Sequence, residues 1–322
     1  MTTDTQAGAE IPTRVAFGEA LVDLGHKNGR VVVLDGDLAN STLVDKFADA
    51  HPDRFLEMGI AEQNMAGVAA GLAAGGLIPF VTTFAAFATN RDLDQIRVVI
   101  AQTKLHVIVV GGYSGILTGR TGKTHQCIED IAVFRAIPNM TVLAPADATE
   151  TRKAVFACAE EVPGPVYMRL TRDASPVLFD DQDSFKVGQG VVLREGSDLA
   201  LISTGVQTSR TAVAAGILES EGISVHHLHL HTIKPLDEAA VIEAARTGAV
   251  VTSEDPSIIG GLGGAVAELL GERRPTLMRR VGVRDVNLES APNDALLDKY
   301  GLTPEHVVRA AREVLAKQLQ DF

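Results

Sequence analysis

The stretch FLEMGIAEQNM, Phe55 to Met65, runs directly into AGVAAGLAAGG, Ala66 to Gly76. Every residue of the second run is Ala, Gly, Val or Leu, so it reads as a buried helix whose small side chains let another backbone approach closely. Glu62 stands at the head of that helix, in a segment with almost no other charge. Buried as an anion it is costly, and a stable fold must then give it a hydrogen-bond partner or keep it protonated. An exposed helix-start carboxylate, favoured by the helix dipole, fits the spacing equally well.

Outward from this stretch, short β-rich runs alternate with helical ones. RVVVLDG (30–36), LIPFVTTF (77–84), HVIVVGG (106–112), MTVLAPAD (140–147) and PVYMRLT (165–171) read as strands. Near-continuous apolar strands separated by helices imply an α/β fold, with a mostly parallel, doubly wound sheet covered on both faces. After Leu178 the segment FDDQDSFKVGQG is polar and acidic, and it marks a domain junction. A second α/β series follows, with strands in DLALISTG, GISVHHLHL, GAVVTSED and TLMRRVGV and helices over 206–221, 237–247 and 261–271. A last helix from Pro304 carries Val307, Val308, Ala311 and Leu315 on one face. Two doubly wound domains are expected, at 12–178 and 190–322.

A chain of 322 residues can bury two such cores. Its net charge of -12 excludes a basic stripe for nucleic acid. No apolar run is long enough to cross a bilayer, and MTTDTQAGAE has no apolar h-region, so the expected location is cytoplasmic, with no membrane partner. Two cysteines, Cys127 and Cys158, make neither a disulfide framework nor a four-cysteine metal site. Cys127 lies two residues after His125, where a small buried thiol is a better reading than a nucleophile.

GIAEQNM, the aromatic pair of TTFAAF and the run KTHQCIEDIAVFRAIPNMTVLAPAD together resemble the pyrimidine-binding half of transketolase-type, thiamine-diphosphate-dependent enzymes. TIKPLD and EDPSIIGGLGGAV resemble the C-terminal domain of the same family, which mainly builds the dimer. The likeness spans residues 12 to about 305. It implies that Glu62 hydrogen-bonds the cofactor's aminopyrimidine and drives it to the imino tautomer that activates the thiazolium carbon. It implies also that Phe84 and Phe87 line the pyrimidine pocket, that Asp37 lies near the thiazolium end, and that His125 contacts a substrate hydroxyl or carbonyl. From the residues alone, Phe84 and Phe87 could equally be core, Asp37 a turn residue and His125 a helix-start histidine. Arg14, Ser41 and Arg172, in PTR, LANS and LTRD, match the positions where the family grips a sugar phosphate. Phosphate recognition needs cationic or N–H-rich groups converging from distant segments, so the triple carries this inference rather than any member.

The same resemblance exposes departures. Thr121 stands where the family has an aspartate that reads a sugar hydroxyl, Tyr113 where it has a histidine, and Asn90 where a third aromatic often follows the phenylalanine pair. The GDG segment that holds diphosphate through Mg²⁺ is absent; LDGDLAN at 34–40 only looks similar. The chain therefore resembles the second subunit of a split transketolase. Its expected partner is an N-terminal-half subunit that binds the diphosphate and Mg²⁺, in a heterotetramer that moves a two-carbon ketol unit between phosphorylated sugars. The β subunit of a 2-oxoacid dehydrogenase, a deoxyxylulose-phosphate-synthase-like enzyme suggested by NRDLDQI, and a non-catalytic scaffold of the same fold are the rivals. VHHLHLH places His227, His229 and His231 on one strand face at period two, where packing is a better reading than a metal site.

Overall fold

The computed structural model describes residues 9–318. Fourteen strands are named in chain order: β1 (Glu10–Pro12), β2 (Val31–Asp35), β3 (Phe55–Glu57), β4 (Ile78–Phe84), β5 (Ile108–Gly112), β6 (Thr141–Leu143), β7 (Val166–Arg169), β8 (Ala174–Pro176), β9 (Val191–Arg194), β10 (Leu199–Ser203), β11 (Val225–His229), β12 (Thr232–Lys234), β13 (Ala249–Ser257) and β14 (Leu277–Val283). Strands β1 and β8 form a small antiparallel pair. The larger sheet runs β12-β6-β7-β5-β4-β2-β3, parallel throughout except for the β12 edge. The second runs β14-β13-β10-β11-β9, with only β9 antiparallel.

The apolar strands behave as parallel strands should. Every residue of β2, β4, β5 and β7 is buried, because helices cover both faces of the sheet. One core cluster runs through both sheets, from Val81 and Val109 to Ile202 and Val250, so the two units share packing. The strand expected over 140–147 spans only Thr141–Leu143. Pro145 has no N–H to give a ladder, and Asp147 is spent as a helix cap, its Oδ1 accepting from Glu150 N at 2.8 Å. The last helix spans Pro304–Gln318 and buries Val307, Val308 and Ala311, with Leu315 partly buried against the same cluster.

The run after Glu62 is a helix, Glu62–Ala74, but its burial is one-sided. Met65, Ala66, Ala69 and Ala70 face the core, whereas Gly67, Gly71 and Ala74 are exposed, and a Cβ placed on Gly67 or Gly71 would meet nothing within 4 Å. The buried helix expected from the sequence is buried on one face, and among the described residues the small residues on its outer face are uncovered. Among the described residues no helix is long and apolar enough to cross a membrane.

From β2 the chain steps to β3 on one side and to β4 and its successors on the other. Such a reversal opens a crevice at the carboxyl ends of the strands. Asp37 follows β2, Phe84 ends β4, Tyr113 follows β5 and Arg172 follows β7, so four residues singled out by sequence gather at that end.

Candidate active site

Glu62 is the first residue of its helix and only 4% exposed. The turn before it is tied down by Glu57, whose Oε1 accepts from Gly59 N at 2.8 Å and from Asp37 N at 3.0 Å. The partner that a buried carboxylate requires is Arg91, whose Nη1 donates to Glu62 Oε1 at 2.7 Å. The Arg91 guanidinium also lies over the Phe87 ring, 3.8 Å from its centroid. Sequence reasoning passed over Arg91, because an arginine after a short helix gives no periodic signal. Its neighbour Asp92 is fully enclosed, and neither carboxylate oxygen has a partner among the described residues. Burial, reinforced by the charge of Glu62, pushes the Asp92 carboxyl up to about 8, so it is mostly neutral at pH 7.

Phe84 and Phe87 stand one helical turn apart with ring centroids 5.6 Å from each other. His125 meets both rings edge-on, at 5.8 and 5.5 Å, so the Gly-rich loop does bring this histidine to the aromatic pair. Its Nδ1 lies 2.8 Å from Thr124 Oγ1, and its backbone N–H donates to Gly122 O. Asn90 is exposed and donates to Ala86 O and Glu129 Oε1, so it builds no wall. Tyr113 provides the third ring instead, stacked on Phe84 at 4.1 Å. It holds φ +57, a left-handed conformation uncommon for a bulky residue. The backbone on either side is pressed flat: a Cβ on Gly111 would sit 2.3 Å from Tyr167 Oη, and one on Gly115 would lie 1.7 Å from Asp255 Oδ2. Thr121 is exposed and turns back on its own loop, its Oγ1 donating to Thr118 O at 2.9 Å.

Arg14, Ser41 and Arg172 meet although 158 residues separate the arginines. Arg14 donates from Nε to Arg172 O at 3.0 Å and from Nη1 to Ser41 O at 2.8 Å. Both guanidiniums approach the Tyr113 ring, at 5.7 and 5.6 Å from its centroid, so Tyr113 joins this cationic group to the aromatic one. Arg172 Nη1 reaches Asp173 Oδ1 at 3.2 Å, and its buried Nε has no partner among the described residues. The Tyr113 phenol, helped by Asp173, raises the Arg172 guanidinium above its ordinary value. Asp37 stands further out, exposed and at φ +63; no described contact links its carboxylate to Glu62, the rings or the arginines. The loop carrying it is held by Asp35, whose Oδ2 accepts from Leu38 N at 2.6 Å and whose carboxyl burial pushes up to about 6.

Two other motifs fall outside this group. His227, His229 and His231 are fully buried and spent on local partners: Ser203 Oγ at 2.9 Å from His227 Nε2, Glu150 Oε2 at 3.0 Å from His229 Nε2, and Thr232 Oγ1 at 2.8 Å from His231 Nδ1. Because Glu150 lies under the first sheet and His229 in the second, this is packing that joins the two. Among the described residues no group of three or more His, Cys, Asp or Glu is placed to hold a metal ion. Cys127 is a buried thiol 3.6 Å from Thr89 Oγ1, and burial pushes it well above its ordinary value, away from a nucleophilic thiolate.

An aminopyrimidine is flat, nitrogen-rich and able to donate to a carboxylate, and the donor set matches it. The present occupant of the Glu62–Phe87 gap is itself a flat, nitrogen-rich donor that stacks on the ring and bonds the carboxylate. Beyond the rings two guanidiniums lie close together, Arg14 held by the Arg172 and Ser41 carbonyls and Arg172 paired with Asp173, a cationic group whose chemistry suits an oxyanion.

Residues 9–177 match the family model for the transketolase pyrimidine binding domain, and residues 188–307 match that for the transketolase C-terminal domain. The chain is 43% identical to 6-deoxy-6-sulfo-D-fructose transketolase subunit SqwH of Clostridium sp. (strain MSTE9), over 95% of each chain. It is 42% identical to a putative transketolase C-terminal section of Methanocaldococcus jannaschii, over 95% of this chain and 96% of that one. Among solved structures it resembles a split gene transketolase, described as an inactive beta4 tetramer, with a TM-score of 0.89 and 48% identity over 95% of this chain and 99% of the other. This chain belongs to the transketolase family.

Proposed function

We propose that this chain is the pyrimidine-binding subunit of a split transketolase and completes its active site with a separate, diphosphate-binding N-terminal-half subunit. The observation that carries the reading is the run of contacts from Glu62 through Arg91 to the Phe87, Phe84 and Tyr113 rings, with His125 against the phenylalanines, and on to Arg14 and Arg172. Thiamine diphosphate, when bound, supplies the nucleophilic carbon that takes up a ketol unit, and Mg²⁺ on the partner anchors its diphosphate. Glu62 orients and polarises the aminopyrimidine, Phe84 and Phe87 stack against it and exclude water, and Asp37 borders the thiazolium end. His125 exchanges a proton with a substrate hydroxyl or carbonyl, and Arg14, Ser41 and Arg172 grip the anionic end of the sugar.

The substrates that suit these groups are phosphorylated sugars, between which a two-carbon unit is moved. A sulfonate is also a tetrahedral oxyanion, and a relative 43% identical is named for a 6-deoxy-6-sulfo sugar, so that anion suits the same receptor. Dependence on a partner is supported by the uncovered face of Glu62–Ala74 and by Ile60, 73% exposed beside the start of that helix. The assembly we propose is a heterotetramer in the cytoplasm, with domains at 12–178 and 190–322. The test is ketol transfer from a phosphorylated ketose by this chain alone, then mixed with a candidate diphosphate-binding subunit, thiamine diphosphate and Mg²⁺. Transfer only in the mixture is expected; 2-oxoacid decarboxylation without transfer would move the chain to the dehydrogenase branch.

A further inference from the structure

Among the described residues, Arg91 is the cation that contacts both Glu62 and Phe87, which the cofactor reading needs to be accessible. Its Nη1 holds Glu62 Oε1 at 2.7 Å and its guanidinium covers Phe87 at 3.8 Å, so one side chain engages both the carboxylate and the ring face. An aminopyrimidine between the same two groups would use the same carboxylate oxygen or its neighbour and the same ring face. The two occupants are alternatives wherever they claim one space.

The rest of Arg91 is suited to leaving. Its side chain is 46% exposed, and its described attachments are this ion pair and this ring contact. Water reaches the guanidinium side of both contacts, so the cost of displacing Arg91 lies with the buried Glu62 carboxylate and is offset when an incoming donor takes its place. Glu62, at 4% exposed, is not suited to standing alone. Asp92, enclosed beside it with no partner for either oxygen, offers no compensating positive charge. A carboxylate kept for a cofactor therefore needs a temporary partner when the cofactor is away.

We propose that Arg91 is a positioning residue that stands in for the aminopyrimidine, holding Glu62 and Phe87 in their working geometry, and swings out when the pyrimidine binds. The proposal rests on the reading of Glu62 as the aminopyrimidine contact. A stand-in that is mostly closed lowers the apparent affinity of the incoming ring by the fraction of molecules left open. Arg91→Met removes the charge and the planar fork while keeping an apolar stem of similar reach. Arg91→Lys keeps the charge but loses the fork.

The experiment titrates thiamine, which lacks the diphosphate and so reports the pyrimidine slot, into the full chain and follows binding by NMR, with thermal melts to confirm that each variant folds. Arg91→Met is expected to bind thiamine about tenfold more tightly than the parent, with Arg91→Lys between them. Adding Glu62→Gln to Arg91→Met is expected to abolish most of that gain. Unchanged or weaker binding in Arg91→Met, or binding detectable in neither protein at millimolar thiamine, overturns the proposal, because the arginine is then not what fills the slot. If Arg91→Met tightens binding but Glu62→Gln changes nothing, the displacement stands and the reading of Glu62 fails. If Arg91→Met is neutral while Glu62→Gln alone weakens binding, the reading of Glu62 stands and the displacement fails.

Discussion

Two of the arginine–carboxylate groups in this protein, one at Arg169 and one at Arg91, are built differently. Arg169 is 3% exposed and clamped between two buried carboxylates, Nε to Asp130 Oδ2 at 2.8 Å and Nη1 to Asp255 Oδ1 at 2.5 Å, with Tyr167 Oη also donating to Asp130. Asp130 begins a helix over the first sheet, and Asp255 is in β13 of the second, so the clamp spans the two units. The Gly115 backbone rests directly on it, which seats the loop from Tyr113 to His125. Arg91 has one carboxylate, a ring and open water. Arg169 has no side open to water and cannot swing away from its carboxylates, whereas Arg91 can, provided that an incoming group takes over the buried Glu62 carboxylate. The sealed pair supports the loop from Tyr113 to His125, and the open one lies on the carboxylate and ring that the proposed cofactor contact would use.

Breaking the sealed pair should have the largest effect. Arg169→Met leaves Asp130 and Asp255 uncompensated and is expected to cost about 3–5 kcal/mol, measured by urea denaturation. Replacing Arg169, Asp130 and Asp255 together by apolar residues should recover much of that loss. Next comes the enclosed Asp92. Its carboxyl titrates near 8 when folded against an ordinary 3.8, so between those values the folded protein holds a proton that the unfolded chain has released. Stability therefore falls as pH rises from 4 to 8, and Asp92→Asn should raise it by several kcal/mol at pH 8 and almost not at all at pH 4. Glu254, also pushed to about 8 by burial, keeps part of the slope.

The acid side works through the other buried group. Burial drives His227 down to about 3 and His231 to about 4, from 6.5. Below pH 6.5 the unfolded chain takes up protons that the folded one refuses, so stability should fall as pH drops from 6.5 towards 4. His227→Gln should flatten that limb of a melting-temperature profile. Arg91→Met leaves the 4%-exposed Glu62 carboxylate without its cation and should cost about 1–3 kcal/mol, less than the Arg169 result because one carboxylate rather than two is left uncompensated. A smaller effect is expected at the anion end, where Arg14→Ala should raise the KM for an anionic ketose about tenfold in the reconstituted enzyme with the protein still folded.

The parts legible in sequence were those with a local pattern. Apolar strand runs marked both sheets, and GIAEQNM with TTFAAF and KTHQ pointed to the family that the comparisons show. Arg91 and Asp92 were illegible because their roles come from where a short helix ends in space. Tyr113 was noticed as a departure, but that its ring takes the place left open by Asn90 depends on a left-handed turn. The histidine run had a legible period, yet its partner Glu150 lies 79 residues away in sequence. The helix after Glu62 reads as buried, with small residues that let another backbone come close; which face is covered within this chain is not written in the run itself.

Glu62→Gln in the mixture of this chain, a diphosphate-binding subunit, thiamine diphosphate and Mg²⁺ is the most direct measurement. Ketol transfer should fall by about 100-fold or more while the melting temperature and assembly stay near those of the parent. Unchanged transfer by a folded, assembled Glu62→Gln protein would contradict a catalytic role for Glu62, and with it the reading of this surface as an active site.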